Sequence, residues 1–281
     1  MSERGDCIFN SIKMVSQKLT QEIFDELKFN LYKNIMFSTF PYITYKQSQS
    51  ISCLNKYNSG NCIAICNFIY IYLKRNFDID SYIIPASTPR ECKVLGTPHM
   101  SHCAILIPTS LHEFCIFDGS LFFNELMYCN LKNNTNRKIL LSDIYNHSPI
   151  EVEYIIRDCD RNICLDKQFN QTLIEDTIYV SCNYSQDKSN IWNYYLNEIV
   201  NPDDNIGKSF IINKPNPFLL FSEYEKNNCY LKYKIELQND GDIKITEYPG
   251  KTIIFNGNSI EFKNNPISNK LMRYFSREIV I

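Results

Sequence analysis

From Ile63 to Leu73 the chain reads IAICNFIYIYL, followed by Lys74 and Arg75, and this run limits the fold more than any other stretch. It is too apolar all round for a surface helix and fits a helix buried inside a domain. Interrupted by Asn67, it is also too short to cross a bilayer. Directly before it stand Asn58, Ser59, Gly60, Asn61 and Cys62. Ser59, Gly60 and Asn61 supply a turn and possible caps, so Cys62 falls in the first helical turn. A thiol there feels the positive end of the helix dipole. Beside an imidazolium as well, its pKa falls from about 8.5 to roughly 3.5–7.5, which gives thiolate at neutral pH. The thiolate is the attacking species in nucleophilic catalysis.

An imidazole and a carboxylate follow in an order that can be tested on paper. His102 opens the run Cys103–Ile107 and Asp118 closes the run Phe114–Phe117, and both runs read as strands. A loop centred on Ser110 pairs Leu106 with Phe114, Ala104 with Ile116 and His102 with Asp118. Alternation then puts His102 and Asp118 on one face, with beta carbons about 5 Å apart. They make a base and its orienting group. His99, outside the strand, and His112, in the loop, are rival bases. Each residue also has a plain structural reading: Cys62 as packing, His102 as a strand histidine bonded to backbone, Asp118 before Gly119 and Ser120 as a turn residue.

A Gly-x-Cys turn opening a buried helix, a strand carrying His and a following strand carrying Asp resembles the transglutaminase-like (papain-like) superfamily, including the arylamine N-acetyltransferases. The spacing of Cys62, His102 and Asp118 looks like theirs, as does the stretch Leu73–Tyr82 that leaves the cysteine helix for the next strand. The acetyltransferases carry Arg-Gly-Gly-x-Cys, where this chain has Asn58 and Ser59 before Gly60, and Ala64 stands where they have a glutamate. Transglutaminases usually place Pro after the aspartate, where Gly119 stands. The resemblance implies cysteine-dependent acyl transfer through an acyl-thioester intermediate to an amine, with acetyl-CoA or another acyl-CoA as possible donor. A cysteine peptidase or amidase of the same fold is the first alternative. An inactive binding or scaffolding module is the second, given the departures beside the nucleophile. The expected catalytic residues are Cys62, His102 and Asp118. Amides near Gly60 and Asn61, with Asn58 or Tyr57, are candidates to hold an oxyanion.

The remaining composition narrows the partners. Lys and Arg total 29 against 31 Asp and Glu, so bulk charge favours neither nucleic acid nor an anionic membrane. The expected partners are a small amine, an acyl thioester or a peptide. The first residues, Met1–Asp6, do not read as a signal peptide, so a cytoplasmic location is expected. The 12 cysteines lack the regular spacing of a disulfide framework. Cys62-x3-Cys66 and Cys159-x4-Cys164 lack a second pair for zinc, so no metal is expected. Cys66 reads as core, and Trp192 as core or interface. No phosphate-cradling motif supports a nucleotide site.

The fold class is α+β: a helical N-terminal part, a transglutaminase-like cysteine core, an antiparallel β-rich middle, and a C-terminal meander with a final helix. The divisions fall at 1–57 for the helical region, 58–125 for the catalytic helix-plus-sheet core, 126–228 for a β-rich region with one helix, and 229–281 for the meander and helix. Residues 8–37 carry Ile12, Val15, Leu19, Ile23, Leu27 and Leu31 at helical steps, Pro41 ends that region, and Tyr42–Lys56 reads as a polar connector. The segment from Asn130 to Lys138 is polar. Strands are expected at Ile150–Arg157 and Ile178–Cys182, and a helix at Ser189–Val200. The meander comprises Tyr230–Leu237, Asp242–Tyr248, Lys251–Phe255 and Ser259–Phe262, with Asn-Asp-Gly, Pro-Gly and Asn-Gly turns, before a helix from about Pro266 to Phe275.

Overall fold

The computed structural model describes residues 18–47, 49–86, 102–110, 113–130, 136–142, 149–157, 177–180, 216–248, 250–256 and 260–269. Helix α1, Gln21–Asn34, begins where the Thr20 hydroxyl accepts from the Ile23 N–H at 3.3 Å. It buries Ile23, Phe24, Leu27, Leu31 and Tyr32 on one face, the stripe that helical spacing predicts. The expected helix over 8–37 is shorter at its end. Ile35 turns extended, and Met36–Ser38 forms strand β1, because the chain there pairs with two other strands. Residues 8–17 lie outside those described.

The expected connector at Tyr42–Lys56 is largely helical. Helix α2, Phe40–Ile43, carries Pro41 in its first turn, where a missing N–H goes unused, so this proline opens a helix instead of ending one. Helix α3, Ser50–Tyr57, buries Ser50, Cys53 and Leu54, and it stops at Asn58 in the left-handed region (φ 52°). Two residues of strand, β2 at Ser59–Gly60, then run parallel to β1. Helix α4, Cys62–Phe77, follows as expected, buries Ile63, Ile65, Phe68, Ile69 and Leu73, and ends at Asp78, again left-handed at φ 50°.

Two sheets surround these helices. The first holds β3 (Tyr82–Ala86), β4 (His102–Pro108), β5 (Glu113–Phe117), β6 (Met127–Asn130), β7 (Asn136–Ser142), β8 (Pro149–Arg157) and β9 (Thr177–Val180), in the order β6-β5-β4-β3-β9-β8-β7. The second adds β10 (Phe218–Glu225), β11 (Asn228–Leu237), β12 (Asp242–Glu247) and β13 (Lys251–Asn256), in the order β13-β12-β11-β10-β1-β2. Neighbours are antiparallel apart from β1 with β2 and β8 with β9. The architecture is mixed α+β with antiparallel sheets. The meander is as expected through β13, with Gly241 and Gly250 at φ 87° and 88° in its turns. Ser259–Phe262 is not its last strand: Ile260–Lys263 forms the short helix α5. Strands β6, β7 and β10 were not expected, and the helix at Ser189–Val200 lies outside the described residues. Helical residues do begin at Pro266, and the described chain stops at 269. Among the described residues no helix is long and apolar enough to cross a membrane.

The hairpin of β4 and β5 sits two residues from its expected register. Ile105 faces Phe117, Leu106 faces Ile116, Ile107 faces Cys115 and Pro108 faces Phe114, since the loop closes with Thr109 and Ser110 N–H groups on the Glu113 carbonyl. His102 is therefore not directly opposite Asp118. A slip of two residues preserves the face of every side chain, whereas a slip of one reverses it. The two residues remain on one face as diagonal neighbours, a separation long side chains can bridge.

The loop that follows Asp118 is fastened from behind. Buried Lys28 donates to the carbonyls of Asn124 and Asn227 and pairs with Asp25 Oδ1, each at 3.0 Å, which uses the three donors of its ammonium. Tyr32 Oη donates to the Phe123 carbonyl at 2.8 Å. Asn124 joins β11 through both halves of its amide, accepting from Cys229 N–H at 2.6 Å and donating to its carbonyl at 3.2 Å. A β-carbon on Gly119 would lie 2.7 Å from Leu31 Cδ2 and 3.0 Å from Ile65 Cγ2, so this corner presses on α1 and α4 together.

Candidate active site

Cys62 occupies the first position of α4 because the turn before it is built for close approach. The Asn61 carboxamide oxygen accepts from the N–H groups of Ile63 and Ala64 at 3.0 and 3.2 Å, the N-cap arrangement worth about 1 kcal/mol. Gly60 sits so close to the helix that a β-carbon there would lie 2.4 Å from Ala64 Cβ and 3.0 Å from Tyr42 Oη. Gly60→Ala is therefore expected to destabilise the protein by about 1–3 kcal/mol, the usual cost of forcing a methyl into a packed site. A denaturant midpoint within error of the native protein's contradicts that packing argument.

His102 opens β4, and α4 packs across that strand. Its Nε2–H donates to Asp118 Oδ2 at 2.6 Å, a short charge-assisted bond with both residues buried. The other carboxylate oxygen, Oδ1, accepts from the Ser120 and Leu121 N–H groups at 3.2 Å each. One oxygen holds the ring and the other holds the backbone turn. With Nε2 committed to the carboxylate, Nδ1 is the ring nitrogen left for sulfur, and His102 and Cys62 lie close enough for each to shift the other's titration. The structure thus brings His102 and Asp118 into contact, with Cys62 within range of their charges.

The electrostatics follow from these contacts. The Cys62 thiol is lowered to about 6, first by the nearby Cys103 thiol and then by the neighbouring His102 ring and its charge, against the opposing effect of burial. Burial pushes His102 down, but the Asp118 carboxylate, followed by the Cys62 sulfur, outweighs it and raises the ring well above the usual histidine value. A depressed thiol beside a raised imidazole favours the thiolate–imidazolium form of the pair. Burial holds the Cys103 thiol well above its ordinary range, so it keeps its proton. Cys66, one turn along α4, lies 3.5 Å from Cys103 Sγ, and burial raises it also.

The sequence reading missed Cys103. Strand alternation sets it on the face opposite its neighbour His102, and the contact with Cys62 comes from α4 crossing the start of β4. Cys103→Ala is expected to move the titration midpoint of Cys62 upward from about 6. Cys103→Ser, which keeps a donor, is expected to hold it near the native value, and pH-dependent alkylation of Cys62 separates the two. Tyr42 and Ser50 were also missed, being placed in the supposed connector. Tyr42 Oη donates to Ser50 Oγ at 2.8 Å, and Ser50 Oγ donates to Asn61 Oδ1 at 2.9 Å.

Of the other candidates, Asn58 is the buried left-handed cap of α3, and Tyr57 stacks on Tyr45 at 4.8 Å. His99, His112, Cys159, Cys164 and Trp192 lie outside the described residues. Among the described residues no group of three or more His, Cys, Asp or Glu side chains is arranged to hold a metal ion.

No protein-family model matches this chain, and no curated protein does. Solved structures do. Arylamine N-acetyltransferase C from Bacillus anthracis aligns over 98% of this chain and 98% of its own, with a TM-score of 0.50 and 10% identity. The fold is that of an arylamine N-acetyltransferase. Two further enzymes with this name align less closely. The Bacillus cereus NAT3 enzyme, described as having a unique Cys-His-Glu catalytic triad, gives a TM-score of 0.49 at 9% identity over 90% of this chain and 91% of its own. The M. tuberculosis enzyme gives 0.43 at 8% identity over 92% and 94%. At such identities the likeness to arylamine N-acetyltransferases extends to the fold, and the chemistry rests on this chain's own side chains.

Proposed function

We propose that this chain is a thiol acyltransferase that passes an acyl group from a thioester donor to an amine through an acyl-enzyme on Cys62. The observation that carries the reading is the 2.6 Å contact of His102 with Asp118, with Cys62 at the head of α4 near enough for the ring to lower its thiol. The Cys62 thiolate attacks the donor carbonyl, a new carbon–sulfur bond forms, and the leaving thiol departs with a proton from the His102 imidazolium. His102, now neutral, takes a proton from the incoming amine as it attacks the thioester, and Cys62 leaves as thiolate. Asp118 holds the ring in one tautomer throughout and stabilises its cation.

Two considerations favour an amine over water as acceptor. The fold neighbour from Bacillus anthracis is named for amine acetylation. Cys62 and His102 are 3% and 6% exposed, and a site that excludes bulk water protects a thioester from hydrolysis. An acyl-CoA fits the donor class that the fold suggests.

The test is intact-mass analysis after incubation with acetyl-CoA or a simpler thioester, followed by addition of an aromatic amine. Gain of one acyl group on Cys62, discharged faster by amine than by buffer alone, is the expected result. An acyl group that leaves at the same rate with and without amine points to a hydrolase.

A further inference from the structure

Asn61 has more hydrogen-bonding capacity than the helix it caps requires. Its Oδ1 accepts from the Ile63 and Ala64 N–H groups and from Ser50 Oγ. Ser50 Oγ accepts from Tyr42 Oη, and Tyr42 Oη accepts from the Asn61 backbone N–H at 3.2 Å, so the three residues close a buried ring of hydrogen bonds. Two backbone N–H groups can face only the oxygen end of a carboxamide, which fixes the amide the one way round. The nitrogen end, Nδ2, is therefore held beside the first turn of α4. It is buried and has no hydrogen-bond partner among the described residues, on a residue 0% exposed.

An amide donor left in this state costs about 1–3 kcal/mol, and an unpaired buried group in a native structure calls for an explanation. Capping does not provide one. Ser, Asp or Thr would accept from the same N–H groups without a stranded NH2. Ser59 Oγ and Ser120 Oγ are also buried without partners among the described residues, one shortly before Cys62 in the chain and one shortly after Asp118. Cys62 follows directly in the chain, and a substrate carbonyl bound at its sulfur would offer the acceptor that Nδ2 lacks. When the carbon–sulfur bond forms, the carbonyl π pair moves onto that oxygen, and a fixed donor there stabilises the charge without reorganising.

We propose that Asn61 is a catalytic residue whose Nδ2 donates a hydrogen bond to the acyl oxygen during attack by Cys62, with Ser50 and Tyr42 as positioning residues that hold its carboxamide. The assignment rests on the thiol acyltransferase reading. Asn61→Ser keeps a neutral helix cap and removes the NH2. In single-turnover acylation with p-nitrophenyl acetate, its maximal rate is expected to fall about 100- to 1,000-fold. The pH midpoint of Cys62 alkylation is expected to stay at the native value, whereas a merely structural role for Nδ2 would leave the acylation rate of the folded variant undiminished. Asn61→Asp, isosteric and an equally good cap, carries the same test if the serine variant does not fold, and its alkylation midpoint reports the effect of the added charge. Native protein that acylates alongside a variant of undiminished rate overturns the assignment alone. Native protein that takes up no acyl group removes the acyltransferase reading and this assignment with it.

Discussion

Cys62→Ala is expected to abolish acyl transfer, a loss on the order of 10^6-fold by analogy with removal of an enzyme nucleophile, while the protein still folds. The two halves of that expectation have different origins. Cys62 is the only sulfur in the described site lowered to about 6, whereas burial raises Cys66 and Cys103, so neither can replace it as thiolate. The fold is unaffected to first order because alanine is a good helix former at a position whose cap, Asn61, is untouched. The measurement is acyl-adduct formation by intact mass beside a thermal unfolding curve. A folded alanine variant that still forms an adduct places the nucleophile elsewhere.

Asp118→Asn should be the next most damaging change, lowering the acylation rate on the order of 10^4-fold. The carboxylate divides its labour between Oδ2 on the His102 ring and Oδ1 on the Ser120 and Leu121 N–H groups. An asparagine keeps its oxygen on those two backbone donors, which can bond nothing else. Its NH2 then faces Nε2, where it cannot accept the ring proton. The imidazole is driven into the wrong tautomer, and the cation loses its counter-charge. Because the backbone turn survives, stability should change far less than rate. An asparagine variant with a rate near that of the native protein contradicts the orienting role given to Asp118.

The candidate site was legible because each of its parts is local. A cap, a glycine and a cysteine ahead of an apolar helix can be read within a few residues, and a histidine and an aspartate on consecutive strands need only the right parity. That parity tolerated a register error of two residues, since His102 and Asp118 stay on one face either way. The rest depended on partners distant in sequence. Met36–Ser38 continues the apolar spacing of α1 and becomes strand only because residues 219–220 and 59–60 pair with it. Helix α3 buries so few apolar side chains that its sequence reads as a polar linker, and its Ser50 acquires a purpose only when Tyr42 and Asn61 close around it. Cys103 was visible as a residue, but its contact with Cys62 depends on how α4 lies over β4, which spacing does not encode.

The central claim is that Cys62 and His102 form a thiolate–imidazolium pair. The sign of each shift fixes the window: the thiol loses its proton as pH rises through about 6, and the ring keeps its own until well above the usual histidine value. Acylation should therefore rise through about pH 6 and decline only when the ring deprotonates. The most direct test is the rate of Cys62 alkylation by iodoacetamide as a function of pH, with the site of labelling read by peptide mass. The account predicts a midpoint near 6 that moves upward in His102→Gln. A midpoint near the ordinary thiol value of about 8.5, unmoved by that substitution, contradicts it.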